Sequence, residues 1–214
     1  MESEPLLRTS EARVHGRYLV RTPTTAGPWP ALFSFHGYGE DASTNMTVLQ
    51  RIPSASEWLL VGVQALHPFY TKNERIVASW MTRQDRELAI ADNVRYVAGV
   101  VEAVSHEFGP TSPIVFAGFS QGVAMAYRAA ARIPAAGIIA LAGDVPPDIT
   151  QPLPEVLIGR GTADNWYTDD KMAADVARLQ GLARNVETCV FEGGHEWTDA
   201  FAAAAGTFLQ RVRE

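Results

Sequence analysis

The sequence predicts an α/β fold with a mostly parallel central sheet of about seven or eight strands and helices on both faces. Short strand-like runs alternate along the chain with helix-like segments, which is typical of parallel sheets joined by crossover helices. The later strand-like runs are apolar throughout, as expected of strands covered on both faces. The length of 214 residues suits a substantial buried core, so we expect residues 1–214 to form a single domain.

Seven segments are predicted as strands because they are short runs dominated by apolar residues. In chain order they are residues 13–21, 29–36, 58–65, 112–119, 136–142, 155–159 and 186–191. A shorter run at residues 6–10 is a candidate for an additional strand at the edge of the sheet. These segments account for the expected seven or eight strands.

Four segments are predicted as helices. Residues 86–108 repeat apolar side chains at helical spacing and end before Gly109 and Pro110, which stop a helix. Residues 121–132 are small and apolar and end before a proline. Residues 169–182 begin with two aspartates, which favour a helix N-terminus, and residues 196–212 close the chain.

The composition excludes several classes of protein. The net charge is −6 and lysine occurs only at positions 72 and 171, so no basic patch predicts nucleic-acid binding. The single cysteine, Cys189, excludes an internal disulfide and a cysteine-based metal cluster. The N-terminal residues lack the apolar stretch of a signal peptide, and no segment approaches the roughly 20 apolar residues of a membrane helix. We therefore expect a cytoplasmic protein without membrane contact.

Residues 112–122 combine an apolar strand with a Gly-x-Ser-x-Gly turn and lead into an alanine-rich helix. In this strand–turn–helix context, the turn at residues 118–122 predicts Ser120 as a catalytic nucleophile. The turn is sharp, so Ser120 needs a strained backbone, and side chains at positions 118 or 122 would collide with the neighbouring strand and helix. A glycine–serine turn without a chemical role is the alternative, and the flanking strand and helix weigh against it.

A serine hydroxyl needs a nearby base to act as a nucleophile at neutral pH, and His195 is the candidate. It follows the last predicted strand, at the edge of the sheet where the carboxyl ends of parallel strands form active sites. In α/β proteins with such a serine turn, the orienting acid lies between the serine and the histidine in the chain. Asp164, after strand 155–159, is favoured, and Asp144, one strand earlier, is the open alternative.

The glycine-containing turn at residues 36–41 is predicted to complete an oxyanion site. It would present the backbone N–H of Tyr38 opposite the N–H of Gln121, so that both stabilise a developing negative charge on oxygen. His36 and Asp41 could be mistaken for a metal pair. No third ligand occurs at useful spacing, so we expect no metal at this turn.

Four motifs occur in the order and spacing of a known family, namely HGYGED at 36–41, GFSQG at 118–122, RGTAD at 160–164 and GGHEW at 193–197. On these motifs the sequence resembles the phospholipase/carboxylesterase family of small α/β-hydrolases, which includes acyl-protein thioesterases. The resemblance covers nearly the whole chain and implies the α/β-hydrolase fold. It also implies hydrolysis of carboxylic esters or thioesters through an acyl-enzyme, without metal or other cofactor. The residues implied are Ser120, Asp164 and His195 as a catalytic triad, and Tyr38 and Gln121 at the oxyanion hole.

The substrate site is the part that the resemblance defines least. Arg160 replaces a histidine of the family pattern, and residues 165–167 replace small or β-branched residues and a proline. Only about a dozen residues, rich in proline, separate strands 136–142 and 155–159, so we expect no cap domain and an open site. Aromatic side chains on the loops favour a small apolar acyl or aryl group over a polyanion. Those proposed to bind substrate are Phe69, Tyr70, Trp80, Trp166 and Trp197.

The residues favour a carboxylesterase or thioesterase acting on a small-molecule ester or thioester, with two other classes as alternatives. Dienelactone hydrolases commonly use a cysteine nucleophile, and peptidases of this type often carry a large extra domain, so Ser120 and the chain length weigh against these enzymes. A non-catalytic binding protein on the same fold usually lacks a member of the triad. The sequence leaves open the acyl chain length and whether the protein is a monomer or a homodimer.

Overall fold

The structure is a computed structural model that describes residues 4–214 and contains a central seven-stranded sheet. The strands are β1 (Tyr18–Arg21), β2 (Ala31–Phe35), β3 (Leu59–Val63), β4 (His67–Tyr70), β5 (Ile76–Ser79), β6 (Ile114–Phe119), β7 (Gly137–Leu141), β8 (Leu153–Gly161) and β9 (Ala183–Phe191). The order in the sheet is β1-β3-β2-β6-β7-β8-β9, with β1 antiparallel to β3 and the other pairs parallel. β4 and β5 form a separate antiparallel hairpin. The prediction of a mostly parallel sheet is confirmed.

The described part of the chain has five α-helices and two short 3₁₀ helices. The 3₁₀ helices lie at Ala55–Glu57 and Ser120–Gly122. Among residues 4–214, no helix combines the length and the apolar composition needed to span a membrane. The α-helices are α1 (Ala42–Leu49), α2 (Arg86–Phe108), α3 (Val123–Ala130), α4 (Asp169–Leu179) and α5 (Asp199–Arg213).

Helices cover both faces of the central sheet. Gly118 of β6 pairs in register with Ala140 of β7, and Gly137, three residues earlier in β7, faces the opposite side because side chains alternate along a strand. A Cβ at Gly118 would meet Val123 at the start of α3, whereas a Cβ at Gly137 would meet Phe208 of α5. Helix α3 therefore packs on one face and α5 on the other.

The central strands are buried as their composition predicts. Every residue of β2, β3 and β7 is buried, which fits their continuous apolar runs and their position in the interior of a sheet covered on both faces. These strands form the middle of a single hydrophobic cluster to which all five α-helices contribute side chains. The rigid sheet supports the loops that follow its strands.

The structure differs from the predictions mainly near the N-terminus and after β2. Residues 6–10 are not in a strand, and β1 is shorter than the predicted segment 13–21. The hairpin of β4 and β5 and helix α1 were not predicted. Helix α1 contains Ser, Thr and Asn, which are weak helix formers, and Asp41 stabilises its start by accepting the N–H of Thr44 at 2.7 Å.

The four sequence motifs follow β2, β6, β8 and β9, whose carboxyl ends lie at the same edge of the sheet. From β2 the chain continues to β3 on one side, and from β6 it continues to β7 on the other. The reversal between β2 and β6 leaves a crevice at this edge, which is where open α/β sheets bind ligands.

Candidate active site

β6 ends in a sharp turn that places Ser120 at the start of a 3₁₀ helix. The φ angle of Ser120 is 51°, in a left-handed region that costs a residue with a side chain about 1–2 kcal/mol. A Cβ at Gly118 would lie 2.5 Å from the carbonyl O of Gly122, and a Cβ at Gly122 would lie 2.1 Å from that of Phe35. The turn therefore requires glycine two residues before and two residues after Ser120.

The loops after β8 and β9 contact each other at glycines. A Cβ at Gly161 would lie 2.3 Å from each carbonyl O of residues 193 and 194, so the loops approach this closely because no side chain intervenes. The N–H of Ala163 donates to the carbonyl of residue 193 at 2.8 Å. This contact brings Asp164, on the first loop, beside His195, on the second.

The ring of His195 lies between Ser120 and Asp164. Its Nδ1 is 2.9 Å from Asp164 Oδ2, and its Nε2 is 2.8 Å from Ser120 Oγ. An ionised carboxylate can only accept hydrogen bonds, so the geometry assigns the proton to Nδ1 and leaves Nε2 to accept from the serine hydroxyl. The ring of Phe119 packs against the imidazole with centroids 5.0 Å apart, which restrains it further.

Asp164 is a buried carboxylate whose neighbours favour its ionised form. Burial alone would raise the pKa of Asp164, but hydrogen bonds from the N–H groups of Tyr167 and Trp166 and from His195 outweigh burial and lower that pKa. The two N–H groups donate to Oδ1 at 2.9 and 2.8 Å, while the imidazole bonds Oδ2. The carboxylate is thereby ionised and fixed in orientation.

Asp144, the alternative acid, does not contact His195. Its carboxylate forms an ion pair with Lys171 at 3.2 Å, and 59% of its side chain is exposed. It lies in the loop after β7, on the rim of the cleft described below. The structure therefore brings Asp164, and not Asp144, to the histidine.

Arg160 is buried behind the loop that carries Asp164. Its Nε and Nη2 donate to the carbonyls of Tyr167 and Thr162, at 3.3 and 3.4 Å, and its Nη1 pairs with Asp169 at 3.1 Å. One guanidinium thus holds both ends of the loop, a role that its place in the sequence did not suggest.

The predicted oxyanion donors lie on adjacent loops. Tyr38 and Gln121 are each three residues beyond the register pair of Phe35 in β2 and Gly118 in β6. Gln121 is the second residue of a 3₁₀ helix, where backbone N–H groups have no partner within the helix. The two residues therefore lie on neighbouring loops at the carboxyl edge of the sheet, Gln121 next to Ser120 in the chain.

Hydrogen bonds on either side of Tyr38 hold the turn after β2. The N–H of Gly37 donates to Glu40 Oε2 at 2.8 Å, and the N–H of Gly39 donates to the carbonyl of Ala78 at 3.1 Å. Within residues 4–214, the N–H of Tyr38 between them has no hydrogen-bond acceptor. The turn is fixed while this donor stays available.

Glu40, in this turn, has a pKa that its surroundings shift. Burial raises the pKa of Glu40 above its ordinary value, and the hydrogen bond from Gly37 opposes the rise. The nearby Asp41 raises this pKa further, whereas His195 lowers it. Glu40 therefore accepts a hydrogen bond that holds the turn and also interacts electrostatically with the imidazole of His195.

Trp80 braces this turn instead of lining the site, which corrects its predicted role as a substrate-binding residue. The side chain is buried, and its Nε1 donates to the carbonyl of His36 at 2.8 Å. The backbone N–H of Trp80 also donates to Gln121 Oε1 at 2.8 Å, while Gln121 Nε2 donates to the carbonyl of Met81 at 2.9 Å. Trp80 therefore connects the turn after β2 to the serine turn.

His36 has no free ring nitrogen. Its Nδ1 lies 2.7 Å from the carbonyl of Gly37, and its Nε2 accepts the N–H of Ala65 at 3.1 Å. Burial lowers the pKa of His36, so the ring is a neutral, buried part of the scaffold. Among residues 4–214, no group of three or more His, Cys, Asp or Glu side chains is arranged to hold a metal ion.

A cleft of about 350 Å³ opens beside Ser120 and His195. A larger cavity, of about 1220 Å³, lies under residues 10–15, but no residue of the serine–histidine–aspartate arrangement lines it. The smaller cleft is therefore the candidate substrate site. Besides Ser120, Gln121 and His195, its walls are formed by Met81, Arg86, Ala124, Ala142, Gly143, Asp144, Val145, Pro146, Pro147, Trp166, Tyr167 and Lys171.

Of the aromatic residues proposed to bind substrate, Trp166 lines this cleft and is largely exposed. Phe69, Tyr70 and Trp197 do not line this cleft, and their contact with substrate stays a prediction. Trp197 packs on the core residue Phe201, with ring centroids 5.1 Å apart, and does not line the cleft. Phe69 and Tyr70 lie in the hairpin of β4 and β5, where the Phe69 ring packs against the Tyr38 ring with centroids 5.5 Å apart.

Sequence reasoning missed the residues that complete the cleft walls. Met81 comes from the segment that leads into α2, Arg86 is the first residue of α2, and Lys171 comes from the first turn of α4. These residues carry no local motif, because only the packing of separate elements brings them to one cleft. The short proline-rich loop after β7, which includes Val145, was expected to leave the site open and forms one wall.

The fold is similar to those of known esterases and thioesterases. The Bacillus cereus carboxylesterase superposes with a TM-score of 0.74 at 17% identity, over 92% of this chain and 94% of that one. The Zea mays acyl-protein thioesterase 2 also gives 0.74, at 16% identity, over 94% and 100% of the two chains. A phospholipase/carboxylesterase from Dyadobacter fermentans gives 0.71 at 22% identity, over 92% and 97%.

At these identities the structural similarity establishes the fold alone, which is that of an α/β-hydrolase. No curated protein matches the sequence. The sequence does match a family model described as phospholipase/carboxylesterase over residues 28–212. Because this match spans most of the 214 residues, the chain belongs to the phospholipase/carboxylesterase family.

Proposed function

We propose that the protein is a carboxylesterase that hydrolyses carboxylic esters or thioesters of small substrates through an acyl-enzyme on Ser120. Family membership supports ester hydrolysis, and the acyl-protein thioesterase among the similar structures keeps thioesters in the substrate class. The proposal depends above all on the imidazole of His195, which bridges Ser120 Oγ at 2.8 Å and Asp164 Oδ2 at 2.9 Å.

In the proposed acylation step, Ser120 Oγ attacks the carbonyl carbon while His195 Nε2 accepts the hydroxyl proton. Asp164 holds the imidazole and stabilises the imidazolium that forms. The N–H groups of Tyr38 and Gln121 donate to the oxyanion of the tetrahedral intermediate. When the intermediate collapses, the bond to the alcohol or thiol breaks, and Nε2–H gives its proton to that leaving group.

In deacylation, water attacks the acyl carbon and gives a proton to His195 Nε2. The second tetrahedral intermediate uses the same two N–H groups and then releases the carboxylic acid. Ser120 Oγ leaves and takes the proton back from Nε2, which restores the starting state. Each step uses only side chains, backbone amides and water, so no cofactor enters the proposed route.

The walls of the cleft favour a small substrate with an apolar part. The surface beside Ser120 is mostly apolar and comes from Met81, Ala124, Val145, Pro146 and Trp166. A volume of about 350 Å³ is at the lower end of small-molecule sites, which run from about 300 to 1,000 Å³. Short acyl or aryl groups therefore suit the site better than long chains.

The direct test is Ser120→Ala. We expect this variant to lose hydrolysis of p-nitrophenyl acetate and butyrate and labelling by a fluorophosphonate, because both require the Oγ nucleophile. Ser56→Ala, at an exposed serine in the 3₁₀ helix Ala55–Glu57, is the matched control and should behave like the wild type. Labelling or hydrolysis retained by Ser120→Ala would remove this serine from its proposed role.

Several properties stay predictions from the sequence alone. These are the single-domain organisation of residues 1–214, the cytoplasmic location, the absence of nucleic-acid and membrane partners, and the choice between a monomer and a homodimer. Size-exclusion chromatography with light scattering would decide the last of these.

A further inference from the structure

The cleft contains a cationic side chain that the proposed mechanism does not use. Arg86 lines the same cleft as Ser120 and His195 and is exposed to solvent. We infer that the site prefers esters carrying one negatively charged group, and that Arg86 binds that group. This inference rests on the proposed ester hydrolysis and adds the class of substrate to it.

Arg86 is available to a ligand. The buried arginines Arg128 and Arg160 form ion pairs with Asp148 and Asp169, respectively. Arg86, by contrast, forms neither an ion pair nor a side-chain hydrogen bond within residues 4–214. Its guanidinium can therefore bind a ligand without first breaking an interaction within the described part of the protein.

The charges around the cleft leave Arg86 uncompensated. The other charged residues that line the cleft apart from the catalytic His195 are Lys171 and Asp144, which pair with each other at 3.2 Å. Two positive groups and one negative group line the walls, and the ionised Asp164 lies behind His195, to which it is bonded. Glu40 lies near His195 but does not line the cleft. Within residues 4–214, Arg86 is therefore the charged group of the cleft wall that has no opposite charge paired with it, which favours an anionic ligand.

The guanidinium and the apolar walls of the cleft together indicate which kind of anionic ester fits. A guanidinium binds a carboxylate through two parallel hydrogen bonds, which fixes orientation as well as adding affinity. The same cleft has apolar surface from Met81, Val145, Pro146 and Trp166. Its other cation, Lys171, is paired with Asp144. The substrate that fits is a small ester with a short apolar part and one carboxylate, on either the acyl or the alcohol side.

The test compares charged and neutral esters on the full chain. On the acyl side, the pair is the p-nitrophenyl monoester of glutaric acid and p-nitrophenyl pentanoate. On the alcohol side, it is 3-carboxyphenyl butyrate and phenyl butyrate. For each pair, the ratio of kcat/KM values is measured for the wild type and for variants, so that differences in intrinsic reactivity cancel between proteins.

Arg86→Ala should lower this ratio roughly five- to tenfold in at least one pair, as expected for loss of a partly exposed charged contact. Arg86→Lys should restore part of the ratio. Arg83→Ala is the matched control, because it removes the same charge from an exposed residue three positions away that does not line the cleft. Added salt should lower the wild-type ratio in the responding pair.

The responding pair identifies which side of the ester carries the anion. A ratio unchanged by Arg86→Ala in both pairs, or changed equally by Arg83→Ala, would overturn the inference while leaving ester hydrolysis standing. An equal fall for charged and neutral esters would also overturn it. Failure of the wild type to cleave any of the four esters would instead contradict the proposed function.

Discussion

At the level of single residues, the proposed mechanism depends on groups that hold backbone amides in place as much as on Ser120, His195 and Asp164. The N–H of Tyr38 can serve an oxyanion only if its turn is rigid, and Glu40 anchors that turn through the N–H of Gly37. Removing one oxyanion donor typically costs about 3 kcal/mol of transition-state stabilisation. A change that only loosens the turn holding the Tyr38 N–H should therefore lose less transition-state stabilisation than removing the donor.

Glu40 gives the first residue-scale prediction. Glu40→Ala removes the acceptor for the Gly37 N–H, so we expect kcat/KM for p-nitrophenyl butyrate to fall about tenfold. Glu40→Gln keeps a carbonyl oxygen at this position and should stay within about threefold of the wild type. Equal losses in the two variants would contradict an anchoring role that depends on the hydrogen bond.

The raised pKa of Glu40 also predicts an effect on stability. A carboxyl whose pKa is higher in the folded state stabilises the fold fully below its unfolded pKa, about 4.3, and loses that contribution as the pH rises through the folded value. Glu40→Gln does not titrate. Its free energy of unfolding, measured in urea, should therefore fall less between about pH 4 and pH 7 than that of the wild type.

At the scale of elements, the loop after β7 is fixed by an ion pair to helix α3. Arg128 is buried in α3, and its Nε and Nη2 bond the carboxylate of Asp148 at 2.9 and 2.7 Å. These hydrogen bonds lower the pKa of Asp148, while burial opposes them. Because the same loop forms one wall of the cleft, this pair connects stability to the shape of the site.

Asp148→Asn should destabilise the protein by about 2 kcal/mol near pH 7, because a buried guanidinium loses its counter-charge. The value lies below the usual range for buried pairs because Asp148 is half exposed. The lowered pKa means that the wild type keeps this stabilisation above the unfolded pKa, about 3.9, and loses it as the pH falls through the folded value. When unfolding in urea is measured at acidic pH, the free energy of unfolding of Asp148→Asn should not show this loss.

Asp92→Asn is the matched control for this prediction, since Asp92 pairs with Arg95 on the exposed surface of α2. Exposed pairs contribute little, so its free energy of unfolding should change by less than about 0.5 kcal/mol. Similar destabilisation by both variants would show that burial of Arg128 is not the cause.

At the level of the whole molecule, the site exists because the loops that follow separate strands of the sheet meet at one edge. Ser120 follows β6, whereas Asp164 and His195 follow β8 and β9, two and three strands away in the sheet. The loops carrying Asp164 and His195 converge only because Gly161 lets the backbone at residues 193–194 approach.

Gly161→Ala tests this convergence. The added Cβ would lie 2.3 Å from two backbone carbonyls, so one loop must move and the contact between Asp164 and His195 must lengthen. We expect kcat to fall about 100-fold, as for a displacement of about 1 Å at a catalytic group, with the far-UV circular dichroism unchanged. Gly99→Ala, in open space on α2, should keep full activity. Full activity in Gly161→Ala would contradict the role of this close contact.

Much of the fold could be predicted because its signals are local. The apolar runs predicted the strands of the central sheet, and the glycines around Ser120 predicted the turn, since burial and sterics act on neighbouring residues. The short helix α1 and the hairpin of β4 and β5 escaped prediction because packing and a single cap, rather than composition, stabilise them.

The α/β alternation, the sharp turn at Ser120 and the position of His195 after the last strand could be predicted from the sequence, because each is encoded within a few consecutive residues. The packing of distant elements brings Asp164 rather than Asp144 to the histidine, sets Trp80 against the turn after β2, and places Arg86 in the same cleft as Ser120. Such choices depend on distances between residues far apart in the chain, and those distances are set by how strands and helices pack.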